Sequence, residues 1–213
     1  MARSPLSTTL RVVTLMAGLW AALGYARNND VASASSIDNN SPFVLRTQVK
    51  NGGDAKFDDL YVFAYHTGAG LNDAMLRPEA HAAVPASAYT GGAGSGSSLG
   101  ARFFAVQFHI GGSPYQLMPS TGVTPYPGLQ PVRINVNGAP PEADNAFYFD
   151  GNKLMWTSSA ESSPPGGFAG WLACQSDHPA VGAPTVKGTQ LFYRTTPGPT
   201  PAGCADVDLE AVY

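Results

Sequence analysis

FYFDGNKLMW, residues 147–156, decides the fold class. Two short aromatic and aliphatic runs flank Asp150-Gly151, and that pair supplies the positive φ values a tight hairpin turn requires. The stretch predicts two antiparallel strands. Toward the C-terminus, 157–167 read as loop, FAGWLAC (168–174) as a short buried strand and QLFYR (190–194) as another. TTPGPTPA (195–202) is a Pro-rich connection, and Val207, Leu209 and Ala211 alternate along a closing strand at 207–213. Toward the N-terminus, VRINV (132–136) alternates, 119–130 carry three prolines and read as loop, and 115–118 form a short strand. FFAVQFH (103–109) is a further strand, preceded by the low-complexity loop GGAGSGSSLG at 91–100.

LYVFAYH (60–66) is apolar on both faces and predicts a central strand. TGAG (67–70) breaks it, and Leu71 to Met75 read as one helical turn limited by Pro78. NGGD (51–54) is a turn, and 43–50 alternate from Phe43 onward. About nine short strands without a long helix predict an all-β chain, either a single antiparallel sandwich or a closed barrel, with a trefoil as the alternative. The expected core is aromatic: Phe43, Tyr61, Phe63, Tyr65, Phe103, Phe104, Phe108, Phe147, Phe149, Trp156, Trp171 and Phe192.

Composition supports this reading. Among 213 residues, 24 are Gly and 18 Pro, and only 13% are charged, which excludes coiled coils, helical bundles and helical repeats. A net charge of −3 excludes a nucleic-acid partner, because no basic excess exists to neutralise phosphates. The 44% hydrophobic content excludes full disorder.

The first 26 residues read as a secretory signal. Arg3 and Arg11 open it, the apolar run VVTLMAGLWAAL (12–23) follows, and Gly24-Tyr25-Ala26 supplies the small residues of a cleavage site. Twelve apolar residues fall short of the about 20 that span a bilayer. Cleavage after Ala26 leaves 187 residues with 10 bases and 15 acids. Residues 27–42 then form a polar disordered leader, with a sequon at Asn39, and 43–213 one all-β domain. The expectation is a secreted, extracellular or cell-wall protein, a monomer with no membrane contact after cleavage. Two cysteines, Cys174 and Cys204, suit one disulfide in that compartment, with two buried thiols as the competing reading.

No catalytic constellation stands out. Gly96-Ser97-Ser98-Leu99-Gly100 matches G-x-S-x-G but lies in a Gly/Ser loop, without the preceding strand and following helix of a nucleophile elbow. His66, His81, His109 and His178 show no metal-ligand spacing, so neither a metal nor a cofactor is expected. The acids available for glycoside hydrolysis are Asp58, Asp59, Asp150 and Glu161, and nothing pairs two of them. Trp156, Tyr148 and Tyr193 are candidates for a sugar-stacking platform, with core packing as the competing role. The candidate pocket is the Gly-rich turn holding His66, Asn72 and Asp73, a polar cluster beside a buried strand.

Residues 65–74, YHTGAGLNDA, resemble an uncharacterised family of secreted ascomycete proteins, a domain of unknown function. The strand FVLR (43–46), FDDLY (57–61), GWLAC (170–174), QLF (190–192) and the Cys204, Val207, Leu209, Tyr213 ending agree with it. The resemblance implies a fungal extracellular protein with a Cys174–Cys204 disulfide, and it implies no activity. The leading functional expectation is a non-enzymatic binding protein whose partner is cell-wall polysaccharide or an extracellular protein. The alternatives are a hydrolase of extracellular polysaccharide or ester, and an effector that binds a host protein.

Overall fold

The computed structural model describes residues 41–78, 85–89, 104–120, 124–136, 147–157, 169–178 and 186–213, all within one unit, Ala34–Tyr213. They form twelve strands: β1 (Val44–Val49), β2 (Tyr61–Gly68), β3 (Leu71–Arg77), β4 (Ala86–Tyr89), β5 (Ala105–Ile110), β6 (Ser113–Pro119), β7 (Leu129–Val136), β8 (Phe147–Asp150), β9 (Lys153–Trp156), β10 (Gly170–His178), β11 (Val186–Arg194) and β12 (Cys204–Val212). One 3-10 turn, Ala55–Phe57, interrupts them. The β8–β9 hairpin is the one that FYFDGNKLMW predicts, with Gly151 at φ 63°. The leader, the sequon at Asn39, the 91–100 loop, the G-x-S-x-G match, Phe103, His81 and Glu161 lie outside the described residues.

All pairings are antiparallel and all strands belong to one sheet. β1 pairs β12, β12 pairs β10, β10 pairs β11, β11 pairs β3, β3 pairs β2 and β2 returns to β1. This ring is not a true barrel, because two of its seams are short. β1 meets β2 at the single pair Arg46–Tyr61, and β11 meets β3 only at Thr189–Leu76 and Gln190–Met75. β7, β6, β5 and β4 branch from one side of the ring, and β9 and β8 from the other.

Three expectations are corrected. Leu71 to Met75 form strand, not a helical turn. Gly70 (φ 70°) turns the chain, and Asn72 occupies an inward position where its amide donates to Ile134 O at 2.8 Å. A satisfied polar residue in the core row disguises the alternation. The loop expected at 119–130 ends early, since Leu129 and Gln130 already pair with Arg194 and Tyr193. β4 adds a strand that the sequence reading lacks, paired along β5 from Ala86–Phe108 to Tyr89–Ala105.

The core holds Leu45, Val62, Phe108, Phe147, Leu154, Trp171, Leu191, Val207 and Leu209, each at most 2% exposed. Trp171 lies against Phe147 with rings 11° from parallel, and its indole N–H donates to Leu154 O at 2.6 Å. Thr47 is fully buried; its hydroxyl donates to Phe57 O and accepts from Leu60 N–H, so the 52–60 connection is fastened to β1 from inside. A smaller cluster of Leu129, Leu172, Cys174 and Phe192 sits on the other face of β10 and β11. There the Cys174–Cys204 disulfide joins directly opposed residues of β10 and β12.

Strand β12 separates apolar from charged residues by its period of two. Ala205, Val207, Leu209 and Ala211 face the core, and Asp206, Asp208 and Glu210 face outward. Each of these acids meets a base: Asp206 meets Arg194, Asp208 meets Lys50 at 2.7 Å and Lys153 at 2.5 Å, and Glu210 meets Arg46 at 3.3 Å. Burial alone would raise the Asp208 carboxyl. Hydrogen bonds from Lys153 and Lys50 outweigh it and hold the group below its ordinary value of 3.8. A depressed carboxyl contributes stability above the unfolded-state value and loses it as pH falls through the folded one. The urea midpoint should therefore hold steady from neutral pH down to about 5 and fall below about 4. Asp208→Asn should lower the neutral midpoint and flatten that acid limb, which denaturation at a series of pH values measures.

Candidate functional site

The sequence-predicted residues part company in the structure. His66 is exposed, at the register position opposite Asn72. Asn72 turns inward and is used structurally: its backbone N–H donates to Asn135 Oδ1 at 3.0 Å and its side chain to Ile134 O. Asp73 points to the outer face, where its Oδ2 lies 3.0 Å from Nδ1 of His178. Its Oδ1 lies 3.8 Å from Arg133 Nε, an ion pair without a hydrogen bond. The carboxylate accepts, so Nδ1 carries the proton, and in the neutral ring Nε2 is the bare acceptor. His178 is 2% exposed and its Nε2 has no partner among the described residues. Tyr65 packs edge-on against the imidazole at 5.8 Å.

His178 reaches this place by an indirect route. Cys174 is level with Gln190, and Gln190 with Met75, so strand register carries His178 and Val186 beyond Arg77. Contact with Asp73 and Tyr65 instead means that the end of the β10–β11 hairpin folds back across β3. Gly188 permits the fold, because Met75 Cε occupies the space a Cβ would need. Met75 is thereby buried although it points away from the main core.

The outer face of β2 carries Tyr61, Phe63 and Tyr65, while Val62 and Ala64 face the core. These three aromatics are half-buried and outward, not core residues as the sequence reading expects. They span about 13 Å at a strand rise of about 3.3 Å per residue. Arg77, opposite Tyr61, lays its guanidinium 3.4 Å over the Phe63 ring. Arg46 borders the other edge, paired with Tyr61 in register and with Asp59 and Glu210 by charge. The hairpin end with His178 walls the Tyr65 side.

The other candidates fall elsewhere. Trp156 (8% exposed) and Tyr193 (5%) pack against each other in the core, so no stacking platform forms from them. Asp58 accepts from the Val49 N–H and Asp59 pairs with Arg46, so both serve the turn before β2. Asp150 is exposed at the end of β8. Among the described residues no group of three His, Cys, Asp or Glu side chains is placed to hold a metal, and no helix is long and apolar enough to cross a membrane.

Residues 40–213 match the family described as Domain of unknown function (DUF7907). The chain belongs to the DUF7907 family. The DUF7907 match takes in the whole described sheet, including the β2–β3 hairpin, the disulfide and His178. DUF7907 brings no activity or ligand with it. No curated protein and no solved structure matches the chain.

Proposed function

We propose that this is a secreted carbohydrate-binding protein of the cell wall or extracellular space, acting without catalysis. The signal-like N-terminus supports the compartment. The observation that carries the binding role is the row Tyr61, Phe63, Tyr65 on the outer face of β2, half-buried and bordered by Arg46, Arg77, Asp73 and His178. The apolar face of a pyranose stacks on such rings while its hydroxyls bond to the polar border. Each aromatic contact of this kind is worth about 0.5–1.5 kcal/mol.

The test is retention of the purified protein on insoluble chitin, β-glucan, mannan and pectin, with released sugar assayed in the same tubes. Retention without release is expected, together with a loss of about tenfold or more in the Tyr61→Ala, Tyr65→Ala double variant. Absence from all four polymers would overturn the reading and leave a protein partner as the leading idea.

A second reading, an extracellular hydrolase, has one observation in its favour. Asp73 orients His178 as the acid of a Ser-His-Asp set orients its base. Among the described residues no hydroxyl bonds to Nε2, so none of them stands as the nucleophile of such a set. Sugar release that disappears in His178→Gln would favour this reading.

A further inference from the structure

We infer that the ligand of the β2–β3 face is an acidic polysaccharide, a uronate polymer whose carboxylates seat on Arg77. This rests on the carbohydrate-binding reading and gives it a substrate class.

Most of the described cations already face a carboxylate. The described residues include eight Lys and Arg side chains. Six of them lie within ion-pair distance of a carboxylate: Arg46, Lys50, Lys56, Arg133, Lys153 and Arg194. Arg77 and Lys187 have no such partner among the described residues. Lys187 is an exposed side chain far out on β11. Arg77 differs from it in two ways. It is half-buried, and its guanidinium carbon lies 3.4 Å over the Phe63 ring.

In an acidic chain whose other described bases are mostly matched to acids, this one fixed cation stands beside the aromatic row. Contact with Phe63 restrains the guanidinium, a group that binds a carboxylate with two parallel hydrogen bonds. Tyr61 lies opposite Arg77 across the strand pair, so a sugar ring on Tyr61 brings its substituents to that edge. Asp73, the acid nearest the far end of the row, faces Arg133 and His178 and does not leave an uncompensated negative charge there. A neutral glycan needs the rings alone and would leave the Arg77 charge without an opposite one from the ligand or the described residues.

The experiment compares binding of the full protein to polygalacturonate, to fully methyl-esterified polygalacturonate and to neutral β-glucan, at 50 and 300 mM NaCl. Wild type is expected to bind the free acid about tenfold or more tightly than the ester, and to lose most of that margin at the higher salt. Arg77→Gln should abolish the margin between acid and ester, whatever it does to the binding of both, and Arg77→Lys should restore only part of it. The ester comparison needs no variant, so a folding defect in Arg77→Gln cannot mask the result. Equal binding of acid and ester overturns the acidic-ligand inference alone, as does an Arg77→Gln variant that folds and keeps the preference. Failure to bind any of the three, or the polymers above, overturns the carbohydrate reading with it.

Discussion

Trp171→Ala should lower the free energy of unfolding by about 4 kcal/mol, the largest effect expected of any single substitution in this chain. The indole is 2% exposed, lies on Phe147 and stands in β10 opposite both Tyr193 and Val207, so its removal opens a void where three strands meet. It also strands the Leu154 carbonyl, which accepts the indole N–H inside the core. An unsatisfied buried acceptor adds about 1–3 kcal/mol to the packing loss unless water enters the void. Urea denaturation of Trp171→Ala and Trp171→Phe separates the two terms. The phenylalanine variant keeps most of the volume and loses the hydrogen bond, and should cost about 1–2 kcal/mol. Equal losses in the two variants would mean that the hydrogen bond, not the packing, sets the contribution of this position.

Replacing both Cys174 and Cys204 by alanine should cost about 3–4 kcal/mol, through the unfolded state. The bond closes a 30-residue separation that contains all of β11 and the Pro-rich segment before β12. Cutting it frees that loop in the denatured chain. The native sheet keeps its other ties there, because β10 pairs β11 along nine residues and β12 along four. The double variant should therefore remain folded at room temperature, with a lower urea midpoint and a melting temperature down by about 6–16 °C. Adding a reductant to the wild type should reproduce the shift and leave the variant unmoved. A wild type indifferent to reductant under denaturing conditions would show that the loop constraint is not a source of stability.

Strand content was legible wherever side chains obey the period of two. The hairpin at Phe147–Trp156, the first strand and the closing strand all follow from alternation and turn residues. Legibility failed where one buried position is polar. Asn72 stands in the core row of β3 because Ile134 O satisfies it, and the resulting pattern imitates a helical turn. It also failed where strands outrun their apolar segment: Gln175 to His178 extend β10 as polar residues, held by pairing to Thr189 through Val186. The candidate site was legible only in part. Asp73 belongs to it, but its partner His178 is 105 residues away and carries no local signal. Tyr61, Phe63 and Tyr65 read as core because aromatic residues in a strand apolar on both faces do not declare which face is covered.

The union of β1 with β12 has a consequence for the order of events during synthesis. Arg46 and Glu210, bonded in the finished sheet, are separated by 164 positions. The first strand emerges early and must wait, unpaired on one edge, until β12 has left the ribosome. The ring cannot shut before then, and contacts this distant in the chain make for slow folding.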